Sequence, residues 1–352
     1  MNEMELYLLN DKLEKIDVLD CKSMIWNKKY CDKGDCEAVI LPSEKILTEI
    51  KDGCFLLKED TSEVMVIENI QLQTNEETGD TLIISGSSAE QLLDRRIVWG
   101  QVLLDDDVCA AAEQIVKDNL VAPADKKRII DIVRIGKNAL CGTNIQKQIT
   151  GESLLQSVIG ILNPYQLGFE LKYETADNAG TLIFTIGSGT DRSWGNKEGN
   201  PDIVFTEKND NLLKSDYALK YTDYKNVCLV AGEGEGDTRK QKETGDSRGI
   251  YRREVYLDSG SLSTNDGAVG PEDYDKLMAE AGKEHLAGLK ITKEFSGEII
   301  QQFGYQCGID FNIGDIVTIL NKYGIHENVR ITGKVENFDE NGHNTILNFE
   351  NI

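Results

Sequence analysis

Apolar residues in this chain recur mostly at every second position, in short runs broken by Gly, Asn, Asp and Pro. That period marks β-strands with one face on a core. Up to about residue 86 the runs are LYLL (6–9), KIDVLD (15–20), EAVIL (37–41), GCFLLKE (53–59), EVMVIENIQL (63–72) and DTLIIS (80–85), which predicts a β-sheet domain. Two helical interruptions are expected, at about 43–50 after Pro42-Ser43 and at 88–95. At the second, Ser87 and Ser88 stand three residues ahead of Glu90 and Gln91, the spacing of a capping box. SSAEQLLDRR is therefore expected as a helix that closes the first domain.

From about residue 98 the period changes. In DDDVCAAAEQIVKDNL the apolar positions Val108, Ala112, Ile115, Val116 and Leu120 fall at helical spacing, with Asp105, Asp106 and Asp107 at the helix start. A carboxylate trio there is read as capping and dipole compensation, not as a metal site. GESLLQSVIGIL predicts a second helix ending before Asn163-Pro164, and FELKYE with TLIFTIG predicts a hairpin around Asp177-Asn178-Ala179-Gly180. The polar, Gly-rich stretch 188–202 reads as a long loop. Beyond it the strands resume as DIVFTE, SDYALKYTD, NVCLVAGE, GIYRREVYLD, ITKEFSGEII, DIVTIL, NVRITGKVENF and NTILNFE. One helix is inserted at about 271–287, opened by Pro271 and closed by Gly288, with Tyr274, Leu277, Met278, Ala281 and His285 on one face.

The expected organisation is a β-rich α+β chain: a barrel-like β-domain over 1–97, a small α+β domain over 98–200 and a β-rich domain over 201–352. Two distant segments, VIENIQLQTNEETGDTLIIS (66–85) and RITGKVENFDENGHNTILNF (330–349), align once a gap of one or two residues is allowed. Each is an apolar strand, an acidic turn with one glycine (Gly79, Gly342), and a second apolar strand, and each follows another short strand, FLLKE or DIVTIL. The first and last domains are expected to be structural siblings.

Charge removes one class of function. With 61 acidic and 38 basic residues the formal charge is −23, too negative to displace counterions along a nucleic-acid backbone. No apolar run reaches the length of a membrane helix and no export signal is visible, so no membrane insertion is expected. The cysteines Cys21, Cys31, Cys36, Cys54, Cys109, Cys141, Cys228 and Cys307 lack C-x-x-C spacing and are read as reduced thiols. With only His285, His326 and His343 beside them, a zinc site is not expected.

Several motifs invite chemistry and fail. Asn337, Asp339, Asn341 and Gly342 fit the early positions of an EF-hand loop, but Asn348 occupies the place of the bidentate Glu and the flanks alternate like strands. A hairpin with an Asn341-Gly342 turn is expected instead. The glycines of GEGEGDTRKQKETGDSRG (232–249) suggest a phosphate loop, but Glu233, Glu235 and Asp237 would repel phosphate. That segment reads as a long hairpin excursion between NVCLVA and IYRREVYLD, suited to a protein contact. Trp26, Trp99 and Trp194 could stack on sugars, although isolated tryptophans more often serve cores or interfaces. No catalytic, cofactor-binding or metal-ligating residue is nominated.

Taken in order, SSAEQLLDRRIVWG (87–100), the middle α+β segment, NVCLVAGEGEG (226–236), RREVYLDS (252–259) and the terminal β-meander resemble siphophage and prophage tail hub proteins. The resemblance covers nearly the whole chain. It implies a fold related to the baseplate hub of contractile-tail phages, in which two similar β-barrels per subunit alternate around a trimer and so match a hexameric tube. It further implies a non-enzymatic structural protein of the virion tail tip, assembled in the host bacterial cytoplasm. Its partners would be the distal tail protein, the tape-measure protein and tip or fibre proteins. Some relatives carry a fused peptidoglycan-cleaving domain, for which a chain ending at Ile352 is expected to leave no room. On this reading the acidity would line a channel that passes DNA without binding it. Two alternatives are a carbohydrate-binding tail-tip module and a wall hydrolase with an unmarked carboxylate pair.

Overall fold

The computed structural model describes residues 5–59, 61–77, 79–176, 179–299, 304–324, 326–340 and 342–352. Six strands form the first barrel: β1 (Glu5–Leu9), β2 (Lys15–Lys29), β3 (Asp35–Ile40), β4 (Phe55–Lys58), β5 (Val64–Gln73) and β6 (Thr81–Ser88). They run in the order β1-β4-β5-β6-β3-β2, and β1 pairs back with β2, so the sheet closes on itself. Alternate residues, among them Leu6, Leu8, Met24, Trp26, Ala38, Ile40, Leu82 and Ile84, fill its interior. β4 is buried on both faces, which is why FLLK shows no alternation: Leu56 points into the barrel while Phe55 and Leu57 join the core of the neighbouring domain.

One short helix, α1 (Glu44–Glu49), bridges β3 to β4 and is capped by Ser43, whose side chain accepts the Ile46 N–H. A second, α2 (Gln91–Asp94), is a single turn, and the expected capping box does not form. Ser88 lies in β6 and accepts the Gly34 N–H, and Ser87 bonds Glu68 across the sheet. Closing the barrel takes these serines into strand pairing before a helix can use them.

The middle of the chain packs β7 (Gln101–Asp107), α3 (Val108–Val116), β8 (Val133–Ile135), β9 (Asn144–Thr150), α4 (Leu154–Leu162), β10 (Gly168–Ala176) and β11 (Ala179–Gly187) around one apolar cluster. β10 and β11 form the expected hairpin, with Asp177 and Asn178 of its turn outside the described residues. β8 runs parallel to β11, and β7 pairs antiparallel with β9. All three aspartates lie in β7, and only Asp107, its last residue, caps α3.

The last part contains β12 (Val204–Thr206), β13 (Leu212–Lys220), β14 (Val227–Ala231), β15 (Gln241–Thr244), β16 (Glu254–Asp258), α5 (Pro271–Ala287), β17 (Thr292–Ile299), β18 (Ile316–Leu320), β19 (His326–Asp339) and β20 (Gly342–Asn351). Six of these strands curl in the order β12-β18-β19-β20-β17-β13 around Phe205, Phe311, Val317, Ile319, Ile331, Leu347 and Phe349. Numbered by their own sequence order, they follow the same permutation as the first barrel: first, fourth, fifth, sixth, third, second. The two segments that align in the sequence are β5–β6 and β19–β20, which occupy the same places in that permutation. Each pair also shifts register immediately after a corresponding residue, between Ile67 and Asn69 in β5 and between Ile331 and Gly333 in β19. The two sets differ at their ends: β12 joins β18 in parallel whereas β1 joins β4 antiparallel, and among the described residues β12 does not pair with β13 as β1 pairs with β2.

Inserted between β13 and β17 is a small sheet, β15-β14-β16, backed by α5. Here the structure corrects the sequence reading. NVCLVA and EVYLD do not form a hairpin; β14 and β16 run parallel, and the intervening segment supplies β15, antiparallel to β14. The Gly-rich acidic stretch is thus built into a sheet. Among the described residues, no helix is long and apolar enough to cross a membrane.

Candidate functional site: the junction of the two barrels

The residues nominated as tempting chemistry scatter. Trp26 is wholly buried in the first barrel, whereas Trp99 and Trp194 are exposed on separate loops. Asn337, Asp339, Gly342 and Asn348 lie on the β19–β20 ladder, where Asp339 faces Gly342 across the turn; Asn341 falls outside the described residues. His285 sits half-buried in the last turn of α5.

What the fold does bring together is a junction that periodicity does not reveal. β2 is a single strand of 15 residues, not the six-residue KIDVLD of the sequence reading. Its Lys15–Asp20 half pairs with β1, and its second half, Met24–Lys29, pairs antiparallel with Gly333–Phe338 of β19. β19 behaves likewise, giving its first half to β18 and its second to β2. The two barrels are therefore stitched into one continuous sheet.

Charged side chains are buried along this seam. Lys58, Lys334 and Glu336 are each less than a tenth exposed. Glu63 lies 2.9 Å from Lys58, 3.1 Å from Lys334 and 4.0 Å from Lys28. Glu336 pairs with Lys58 and lies 3.0 Å from Lys334. Lys28 completes the set through Glu170 of β10 at 2.8 Å. Three lysines thus meet three glutamates drawn from the first barrel, the second barrel and the middle domain. Burial alone would raise the glutamate pKa values, but Lys334 and Lys58 reverse this and hold both Glu63 and Glu336 below the ordinary carboxylate range. Burial alone would lower Lys334, and Glu63 with Glu336 instead raises it. The Lys58 ammonium also sits 5.6 Å over the Trp26 ring.

Tyr30, immediately after β2, pins all three bodies together. Its hydroxyl lies 2.7 Å from Gly187 O and 3.1 Å from Gln166 O, both in the middle domain. Its ring lies 5.2 Å from the Arg330 guanidinium of β19. A Cβ at Gly168 or at Gly314 would come within 2.4 Å of that ring, so both positions require glycine for the ring to lie flat. Burial raises the Tyr30 hydroxyl pKa to about 12. Arg330 itself donates to Gly314 O at 2.5 Å and to Ser188 O. Between the barrels and the middle domain a cleft of about 710 Å³ opens, lined by Lys28, Glu63, Glu170, Cys307 and Lys334 among others.

The junction fixes the angle between two similar barrels by a shared sheet, a neutral six-charge cluster and a clamped tyrosine. Sequence reasoning missed it because Lys28, Lys58 and Lys334 look like solvated positions, and the contacts that join the three bodies, Lys58–Glu336, Lys334–Glu63 and Lys28–Glu170, link residues remote in the chain.

A family model described as Siphovirus ReqiPepy6 Gp37-like protein matches residues 5–349. No curated protein matches the chain by sequence. Among solved structures, the 43 kDa tail protein of prophage MuSo2 from Shewanella oneidensis is similar at a TM-score of 0.60 and 13% identity, over 99% of this chain and 98% of that one. The tail protein from Neisseria meningitidis MC58 gives 0.59 and 14%, over 99% and 96%. Prophage tail protein gp18 from Listeria monocytogenes EGD-e gives 0.57 and 10%, over 98% and 94%. The chain has the fold of these tail proteins.

Proposed function

The chain belongs to the Siphovirus ReqiPepy6 Gp37-like protein family, and from that membership we propose that it is a structural hub of a phage tail. In this reading three copies form a ring at the tail tip, and the chain works by holding partners in register, not by catalysis. The observation that carries the reading is the repeated strand permutation of the two barrels within one chain. Two similar barrels, fixed at one angle by the junction, offer two similar faces per subunit, so a threefold ring would present six to a hexameric tube. The distal tail protein would take that face, with the tape-measure protein and tip or fibre proteins on the axis and below. Residues 1–97 and 201–352 would supply the ring, and 98–200 would brace it. Multi-angle light scattering on the purified chain, alone and with the distal tail protein, tests this. A mass of three chains is expected, and a monomer at tens of micromolar that forms no ring with the distal protein would overturn it.

A further inference from the structure

We propose that Cys109, Cys141 and Asp107 form a binding site for a thiophilic divalent cation of the zinc class, with its fourth position open to water. The two cysteines are 32 residues apart and carry no spacing signature, yet pairing of β7 with β9 brings them together. Cys109 is the second residue of α3, and Cys141 lies on the turn that leads into β9. Their sulfurs and a carboxylate oxygen of Asp107 all lie within 4.8 Å of one another. A tetrahedral zinc, with bonds of about 2.3 Å to sulfur and about 2.0–2.2 Å to oxygen, needs donors about 3.5–3.8 Å apart. Cys141 Sγ already stands 3.6 Å from Asp107 Oδ2, so small side-chain rotations complete the set.

The carboxylate is held in place for this role. Asp107 Oδ1 accepts the N–H groups of Cys109 at 2.9 Å and Cys141 at 3.3 Å, and Oδ2 accepts that of Gly142 at 2.7 Å. Helix capping explains the first of these bonds but does not require two thiols to converge on the cap. An independent feature is the open hollow beside Cys109, lined by Asp106, Glu113 and Asp118 against Lys117, which would concentrate cations at the thiols. A thiol binds metal as its thiolate, so binding releases protons and affinity rises with pH.

The test is titration of the reduced full-length chain with Co²⁺, followed by thiolate-to-cobalt charge-transfer absorption. The expected result is one saturating equivalent that is bleached by Zn²⁺, strengthened at higher pH and lost in both Cys109→Ser and Cys141→Ser. Each loss should exceed the roughly 10- to 100-fold weakening typical of removing an outer-shell partner. Cys141 is exposed, so its serine variant should fold, and Cys228→Ser, a buried thiol elsewhere, serves as the control that leaves the band intact. Absence of the band in the reduced wild type, or a band of full amplitude in Cys141→Ser, overturns the proposal.

Discussion

Replacing Glu63 by Gln tests the junction most directly, because it removes one negative charge from a neutral cluster and leaves its shape unchanged. At about 3 Å and an effective dielectric near 20, each Glu63–Lys pair is worth about 5–6 kcal/mol before desolvation is counted. Much of that offsets the burial of the ions, but the variant keeps the desolvated lysines and loses their partner. The expected loss is about 3–5 kcal/mol, the usual range for breaking a buried pair from one side. Urea unfolding followed through Trp26, in a background with Trp99 and Trp194 changed to Phe, reads the barrel that contains the cluster. The sign with pH is fixed by the depressed carboxylates. Their contribution is complete above the ordinary glutamate value of 4.5 and fades as pH falls through the lower folded values. The wild-type advantage over Glu63→Gln should therefore hold from pH 8 to about 5 and shrink below about 4.5. A double cycle with Lys58→Met should show coupling of more than about 1 kcal/mol. A variant within about 0.5 kcal/mol of wild type at pH 7, or a gap that does not close in acid, refutes the claim that the cluster holds the seam.

Other consequences are open to similar measurement. Gly86→Ala would place a Cβ 1.8 Å from Val66 O beside the register shift of β5, and should lower the urea midpoint by an amount equivalent to about 1–3 kcal/mol. Phe205 meets Tyr305, Phe311 and Phe349 in the second barrel, so Phe205→Ala should cost about 3–5 kcal/mol by calorimetry or denaturant unfolding. The Tyr274 hydroxyl accepts the Glu233 N–H at 2.7 Å and donates to Leu262 O at 3.1 Å; Tyr274→Phe should cost about 1–3 kcal/mol and speed amide exchange at Glu233. Because burial favours the neutral Tyr30 hydroxyl, its stabilisation is complete below pH 10 and is lost as pH rises toward about 12. Alkaline loss of stability should therefore be shallower in Tyr30→Phe, and equal slopes would show that the ring is not clamped.

The parts of the fold that were legible in the sequence are those where a single chain segment carries its own pattern. Helix α5 reads directly from Pro271, Gly288 and a 3.6-residue stripe, and β5–β6 with β19–β20 read as aligned meanders because alternation and turn glycine lie together. Illegible features depend on partners far away. Lys28 in a strand is a solvent signal until Glu63 and Glu170 are placed beside it, and so the second half of β2 disappears from the pattern. β14 and β16 look like the arms of a hairpin because antiparallel neighbours are the commoner outcome, and they run parallel because the segment between them supplies β15 on the other edge of β14. Ser87 and Ser88 carried a valid helix-start signal that barrel closure overrode.

The strand shared between the barrels also determines how the molecule carries load. β2 and β19 overlap lengthwise across the seam with their ladder running along the splice, so a pull along the strands that separates one barrel from the other loads those bonds together, in shear. An end-to-end contact or a loop linker would instead peel open one bond at a time. The molecule should behave as a lap joint, stiff along the strand axis, and its two halves should yield to force together.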